Sequence, residues 1–102
     1  MASITGAKLI HSLLFSFKEG VTEEQKEAFF KAAKAMAQVP GIMGVDIGPN
    51  LENPPYQYTG IIYYRDAEAR QAFLPNPIHR HFVEEHYLPL TEKRVSTTTV
   101  AG

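Results

Sequence analysis

The chain begins with a segment that is apolar at nearly every position. Lys8 to Phe17 reads K-L-I-H-S-L-L-F-S-F. The alternation of a β-strand divides this segment into two faces, and both faces carry large apolar side chains. A strand that is apolar on both faces is covered on both faces, so we expect this strand to be central in a sheet.

The next segment has the spacing of an amphipathic helix. Thr22 and Gln25 form a capping-box pattern, which marks a helix start. Apolar residues then recur at spacings of three and four, with charged residues between them. Pro40 and Gly41 stop the pattern, which predicts a helix of about 16 residues.

The rest of the chain alternates between short β-prone segments and short helices. Pro75 separates the last two helices, and Asn76 is a good N-cap for the second of them. The predicted elements are a strand at Ile42–Ile47, a loop at Leu51–Pro55, a strand at Tyr56–Tyr64, helices at Ala67–Leu74 and from Pro77 to about Tyr87, and a strand at Lys93–Val100.

This order predicts a single α+β domain spanning residues 1–102. The sequence β-α-β-β-α-β is that of the ferredoxin-like arrangement, with a four-stranded antiparallel sheet and helices on one face. The central strand still needs a cover on its second face, and a second copy of the chain would supply one. We therefore expect a homodimer, a dimeric α+β barrel whose two sheets enclose an interior that can hold a small ligand.

Composition excludes several classes of partner. Ten Lys and Arg residues stand against 11 Asp and Glu residues, whereas a nucleic-acid binder normally has a basic excess. Apolar runs are too short for a membrane span, and we expect no signal peptide. Because cysteine is absent, we expect a cytoplasmic protein. No nucleotide-binding motif is present, so we expect no nucleotide cofactor.

Histidines are the main candidates for chemistry. His79 is the third residue of the helix that Asn76 caps, and the positive end of that helix disfavours the imidazolium ion. A neutral imidazole is what a general base needs, although His79 could also simply pack or cap. His11 lies on an apolar face of the central strand and is either a core histidine or a partner of His79. His81 and Glu85 share a helix face, but no further ligands join them, and we expect no metal site.

Six short motifs in the same order resemble the stress-responsive α/β-barrel (Dabb) family. The resemblance implies a homodimeric barrel. The family includes plant stress proteins of mainly structural role and a polyketide cyclase of the olivetolic acid cyclase type, which performs an aldol condensation without metal or cofactor. The matching motifs are H-S-L-L-F-S-F-K at 11–18, T-E-E-Q at 22–25, V-P-G-I at 39–42, G-P-N at 48–50, Y-T-G at 58–60 and L-P-N-P-I-H-R-H-F at 74–82.

The resemblance also implies roles for individual positions. The cyclase's histidine in the N-P-x-H-type motif falls on His79, and its histidine in strand one falls on His11. Its third histidine falls on Gly60, and its two tyrosines fall on Phe73 and Ala33. This chain therefore keeps two of the five polar positions, and its cavity should be larger and more apolar.

We expect a cofactor-independent, polyketide cyclase-like enzyme in which His79 is the general base. His11 or a strand-three tyrosine would stabilise an enolate oxygen. The ligand would be a small apolar, aromatic or polyketide-like molecule. The alternatives are a non-catalytic stress-response dimer that binds a small apolar molecule and a cofactor-free oxygenase. The expected substrate-binding residues are Tyr58, Tyr64, Phe73, Phe82, Phe30 and Tyr56.

Overall fold

Residues 6–52 and 55–101 of the protein are described by a computed structural model. The predicted order of strands and helices is confirmed, and the elements alternate as in a ferredoxin-like fold. They are β1 (Leu9–Phe17), α1 (Glu23–Ala35), a 3-10 turn (Met36–Gln38), β2 (Ile42–Pro49), β3 (Tyr58–Tyr64), α2 (Ala67–Phe73), α3 (Pro77–Phe82), a π-helical turn (Val83–Tyr87), α4 (Leu88–Leu90) and β4 (Thr91–Val100).

Side-chain caps begin the helices where the sequence predicts them. The capping box of α1 is complete: Thr22 accepts a hydrogen bond from the backbone N–H of Gln25, and the Gln25 side chain accepts one from the backbone N–H of Thr22. Asn76 accepts a hydrogen bond from the N–H of Ile78 and starts α3. These bonds satisfy amide groups that a helix leaves unpaired at its first turn.

The four strands form one antiparallel sheet in the order β2-β3-β1-β4. The central position predicted for β1 is confirmed. Within the register, His11 lies opposite Ile62 of β3 and opposite Thr98 of β4. These three side chains therefore point to the same face of the sheet.

The two faces of the sheet differ in burial. The helices cover one face, where Phe15 and Phe29 are fully buried. On the other face, Ile10, Leu14 and Ile61 remain partly exposed. Within the described ranges, this second face has no covering layer from the same chain, which leaves a partly apolar sheet surface open. We call it the bare sheet face.

Several predicted boundaries were wrong. Strand β3 begins at Tyr58 because the preceding residues belong to a loop in which Asn50 donates a hydrogen bond to the Tyr56 carbonyl at 3.0 Å. Strand β4 begins at Thr91, two residues early, because a bulge lets it continue past Lys93, which has a φ of 51°.

Some sequence expectations concern residues outside the ranges 6–52 and 55–101. Positions 53 and 54 of the predicted loop and positions 1–5, on which the signal-peptide expectation rests, lie outside the described residues. Within 6–52 and 55–101, no helix is both long enough and apolar enough to span a membrane.

Candidate active site

A cavity of about 110 Å³ lies between the sheet and the later helices of one chain. Its walls are the helix-covered face of the sheet, α2, α3 and the π-helical turn, so it differs from the expected ligand space between the sheets of two chains, which stays a prediction. The lining residues are His11, Leu13, Met36, Ile62, Tyr64, Arg70, Leu74, His79, Phe82, Val83, Tyr87 and Ser96.

The hydrogen bond of His79 determines which of its ring nitrogens is free. Nδ1 lies 3.0 Å from the backbone carbonyl oxygen of Leu74. A carbonyl oxygen can only accept, so Nδ1 carries the hydrogen and donates it. In the neutral ring, Nε2 therefore keeps its lone pair. The ring of Phe73 lies against the imidazole with a centroid separation of 4.4 Å and restricts its orientation.

His11 lies on the opposite wall of the cavity, on β1. Its Nδ1 is 2.8 Å from the hydroxyl oxygen of Thr98. Burial lowers the pKa of His11 below its usual value, and the positive charge of Arg70 lowers it further. His11 is therefore neutral at pH 7. Its ring can donate one hydrogen bond and accept another, and it adds no charge to the cavity.

Arg70 supplies the cavity with a permanent positive charge. It lies in the last turn of α2, and its Nε is buried without a hydrogen-bond partner among the described residues. The guanidinium group stays protonated at any physiological pH. An N–H donor that is buried and unpaired is costly, so this atom is the most unusual feature of the site.

Two phenol groups complete the polar wall. Burial raises the pKa of Tyr64, and the charge of Arg70 offsets part of that rise. Burial also raises the pKa of Tyr87, with Arg94 acting in the opposite direction. Both hydroxyls are therefore protonated at neutral pH and can donate hydrogen bonds to a ligand oxygen.

The structure brings together some of the predicted site residues and separates others. His11, His79, Tyr64 and Phe82 line the cavity, and Phe73 lies behind His79. The remaining three residues lie elsewhere.

Tyr58 and Phe30 pack with each other and with Phe17, at the far end of the same core. Tyr56 precedes β3 and belongs to the loop that Asn50 holds. The expectation that these three residues bind the ligand has no support from this cavity, because alternation along a strand predicts a face and not a position along that face.

Sequence reasoning missed Arg70, Tyr87 and Thr98. The alternation of β4 contained a signal for Thr98, since antiparallel pairing with β1 places it beside His11. Arg70 carried no such signal, because a basic residue in the last turn of a short helix usually faces solvent. Only the packing of α2 against the sheet turns it inward.

A second pair of histidines lies outside this cavity. The rings of His81 and His86 are 5.1 Å apart, on the outer side of the helices, where they border a hollow with Ala28 and Ile78. In the described part of the chain, no group of three or more potential metal ligands comes together.

Fold and site together define a ferredoxin-like α+β protein with a small histidine-containing cavity beneath its helices. The family model of the stress-responsive A/B barrel domain matches residues 9–98. The chain belongs to this family, known as Dabb. A search of curated proteins found no significant match.

Solved structures of low sequence identity share the fold. A dimeric ferredoxin-like protein of unknown function from Thermobifida fusca has a TM-score of 0.79 and 21% identity, covering 90% of this chain and 89% of its own. Hydroxynitrile lyase from Passiflora edulis has a TM-score of 0.80 and 13% identity, covering 94% and 95%. SnoaB, a cofactor-independent oxygenase from Streptomyces nogalater, has a TM-score of 0.72 and 16% identity, covering 91% of both chains.

Proposed function

We propose that this protein is a cofactor-independent enzyme in which His79 removes a proton from a carbon next to a carbonyl group. The observation that carries the proposal is the hydrogen bond from His79 Nδ1 to the Leu74 carbonyl. It holds the imidazole in the form whose Nε2 can accept a proton inside a largely apolar cavity. Similarity to folds that serve a lyase and a cofactor-independent oxygenase gives the proposal further support.

The reaction needs only groups that this chain supplies. His79 Nε2 takes the proton, the C–H electron pair forms a carbon–carbon double bond, and the carbonyl oxygen becomes an enolate. The hydroxyl of Tyr64 and the ring of His11 can donate hydrogen bonds to that oxygen. The enolate carbon then attacks a second carbonyl, as in polyketide cyclisation, or the proton returns from His79.

The size of the cavity restricts the substrate. At about 110 Å³, the cavity is smaller than the roughly 300–1,000 Å³ of sites for drug-sized ligands. A ligand with one ring fits this scale, as does the reacting segment of a longer chain. We therefore favour a compact aromatic carbonyl compound, or a polyketide that places only its reacting end in the cavity.

We further propose that two chains associate through the bare sheet face. The partly exposed Ile10, Leu14 and Ile61 form its apolar part, and removing such a surface from water favours association. The fold relative from Thermobifida fusca is described as dimeric. In this arrangement each chain keeps its own cavity on the opposite side of its sheet.

Hydrogen–deuterium exchange at carbon tests the proposed base without knowledge of the natural substrate. Phenylacetone in D2O, with exchange of its methylene protons followed by NMR, reports proton removal alone. We expect the protein to accelerate this exchange and His79→Ala to abolish the acceleration. His81→Ala is the matched control, because His81 is on the same helix outside the cavity, and it should leave the rate unchanged.

A second function is favoured by the apolar surface that makes up most of the cavity wall. A non-catalytic protein that binds a small apolar molecule would use the same space. Binding of phenylacetone without any acceleration of exchange would support this alternative and contradict the proposed base.

A further inference from the structure

Arg70 is a cation that lacks a counter-charge in the described structure. None of the residues that line its cavity is Asp or Glu. The side-chain ion pairs of the described residues join Lys26 to Glu23, Arg65 to Asp66 and Arg80 to Glu84. Arg70 thus differs from Arg65 and Arg80, which are both exposed and both paired.

The rest of the cavity does not compensate this charge. His11 is neutral at pH 7, and the phenols of Tyr64 and Tyr87 are protonated. The electrostatic effect of Arg70 reaches both His11 and Tyr64. Its charge therefore acts on the cavity itself and not only on solvent.

A charge in partly buried surroundings is stabilised when it is paired and hydrogen-bonded. A neutral carbonyl ligand would give the Arg70 guanidinium group an acceptor but no compensating charge. An enolate would supply the charge only briefly during a reaction. A carboxylate supplies both from the moment of binding, and its geometry suits the planar guanidinium group.

We propose that the cavity takes a small carboxylic acid whose carboxylate accepts hydrogen bonds from Arg70 while its carbonyl-bearing part lies against His79. This inference rests on the proposed function, since it names the class of substrate for the same site. The substrate would be a compact oxo acid, aromatic or short-chain, with the anionic group at the α2 wall and the reacting carbon at the α3 wall.

Benzoate and benzamide test the inference because they have nearly the same shape and differ in charge. Calorimetric titration of the intact protein should show benzoate binding more tightly than benzamide, by about tenfold to a hundredfold, as expected for a hydrogen-bonded charge pair. Arg70→Met should remove this preference, because it should weaken benzoate binding far more than benzamide binding. Arg65→Gln, which changes an exposed arginine outside the cavity, should preserve it.

NMR titration of the histidine rings provides a second readout, in the unmodified protein and in Arg70→Met. Benzoate should raise the pKa of His11, because it neutralises the charge of Arg70, and benzamide should not. Arg70→Met without ligand should raise the pKa of His11 as well, which also checks that the variant is folded and that Arg70 acts at this site.

Three outcomes would overturn the carboxylate inference. They are equal affinity for the two probes, a preference that survives Arg70→Met, and no binding of benzoate at millimolar concentration. Its failure is separable from that of the proposed function. Exchange that depends on His79 without any preference for benzoate would retain the base and reject the anion site. A preference for benzoate without exchange would retain the anion site and reject the base.

Discussion

The two ends of the layer between sheet and helices are built from the same strands but differ in kind. At one end, rings fill the space: Phe29 lies 5.3 Å from Phe15 and 5.0 Å from Phe17, centroid to centroid. At the other end, His11 of the same β1 strand and Arg70 of α2 border a cavity. We call these the aromatic end and the cavity end.

The difference shows how one strand can serve two purposes. Side chains on one face of β1 all point toward the helices, so position along the strand decides which end they reach. Large rings at the aromatic end bury apolar area and stabilise the fold. Polar groups at the cavity end leave space and one buried donor, Arg70 Nε, without a partner among the described residues. Such features stabilise a fold poorly and suit ligand binding.

Gly60 of β3 lies between the two ends. A Cβ at this position would come within 3.3 Å of Leu13 Cδ1. The glycine therefore leaves room for the Leu13 side chain, which lines the cavity. The family resemblance places a histidine here, and that histidine could not be added without moving Leu13.

The largest effect is expected at the cavity end. His79→Ala should slow the exchange of phenylacetone by about a hundredfold to ten-thousandfold, the usual contribution of a positioned base. Its unfolding midpoint should change little, because His79 is only partly buried. Exchange rates and urea midpoints measured on the same preparations check both parts, and an unchanged rate would remove His79 from the mechanism.

The opposite result is expected at the aromatic end. Phe29→Ala should lower the free energy of unfolding by about 3–5 kcal/mol, since a fully buried ring leaves a cavity. The exchange rate per folded molecule should fall far less than in His79→Ala, because Phe29 does not line the cavity and contacts it only through rings such as that of Phe82, 5.0 Å away. Phe30→Ala, at a partly exposed position in the same cluster, should lower the free energy of unfolding by less than Phe29→Ala does. A large loss of rate in folded Phe29→Ala would show that the two ends are coupled.

The bare sheet face belongs to neither end. Changes to this face should affect the association of two chains and leave the cavity unaffected. Leu14→Asp places a charge on that face and should weaken the dimer by at least about a hundredfold in dissociation constant. Ala72→Asp, on the exposed surface of α2, should have no effect. Sedimentation measures both variants. A Leu14→Asp protein that remains as associated as the unmodified one would exclude this face as the interface.

A smaller effect is expected for the partner of His11. Thr98→Val keeps the side-chain shape but removes the hydroxyl that lies 2.8 Å from His11 Nδ1. The loss should be about 1 kcal/mol in the free energy of unfolding. The exchange rate should fall only modestly, because His11 can still reach the ligand. A fall in exchange rate as large as that of His79→Ala would mean that His11, and not His79, is the essential group.

The smallest effect concerns pH. The pKa of His11 in the folded chain lies below the value near 6.5 that it has when unfolded, mainly because of burial. As the pH falls below about 6.5, the unfolded chain binds the proton more readily, so the free energy of unfolding decreases. The loss ends once the pH is below the folded pKa.

His86 contributes with the same sign, because burial also lowers its pKa. Urea midpoints at about pH 7.5 and 5.5 should therefore show a decrease on acidification that His11→Gln makes smaller without abolishing it. An identical decrease in His11→Gln would mean that His11 does not contribute.

Much of the fold was predictable because its signals are local. The Thr22–Gln25 capping box, the Asn76 cap and the apolar alternation of β1 each act within a few residues, and each is confirmed. Element boundaries were less predictable where pairing between strands decides them. The early start of β4 depends on a bulge in its pairing with β1, and the residue pattern of β4 alone does not reveal this bulge.

The candidate site was predictable only in part. His79 and His11 stood out as residue types on recognisable elements, and the structure places both at one cavity. Arg70 did not, and Tyr58 was placed on the correct face but at the wrong end. Distances along a face depend on the register between strands and on the packing of helices, which local patterns do not contain.

For this protein, the residues near one another in the chain determined the type and order of the elements and the central place of β1, because capping and alternation are short-range effects. Tertiary structure alone decided that the cavity lies beneath the helices of one chain, that Thr98 meets His11, and that Arg70 turns inward. Such contacts join residues far apart in the chain, and they form only when sheet and helices pack.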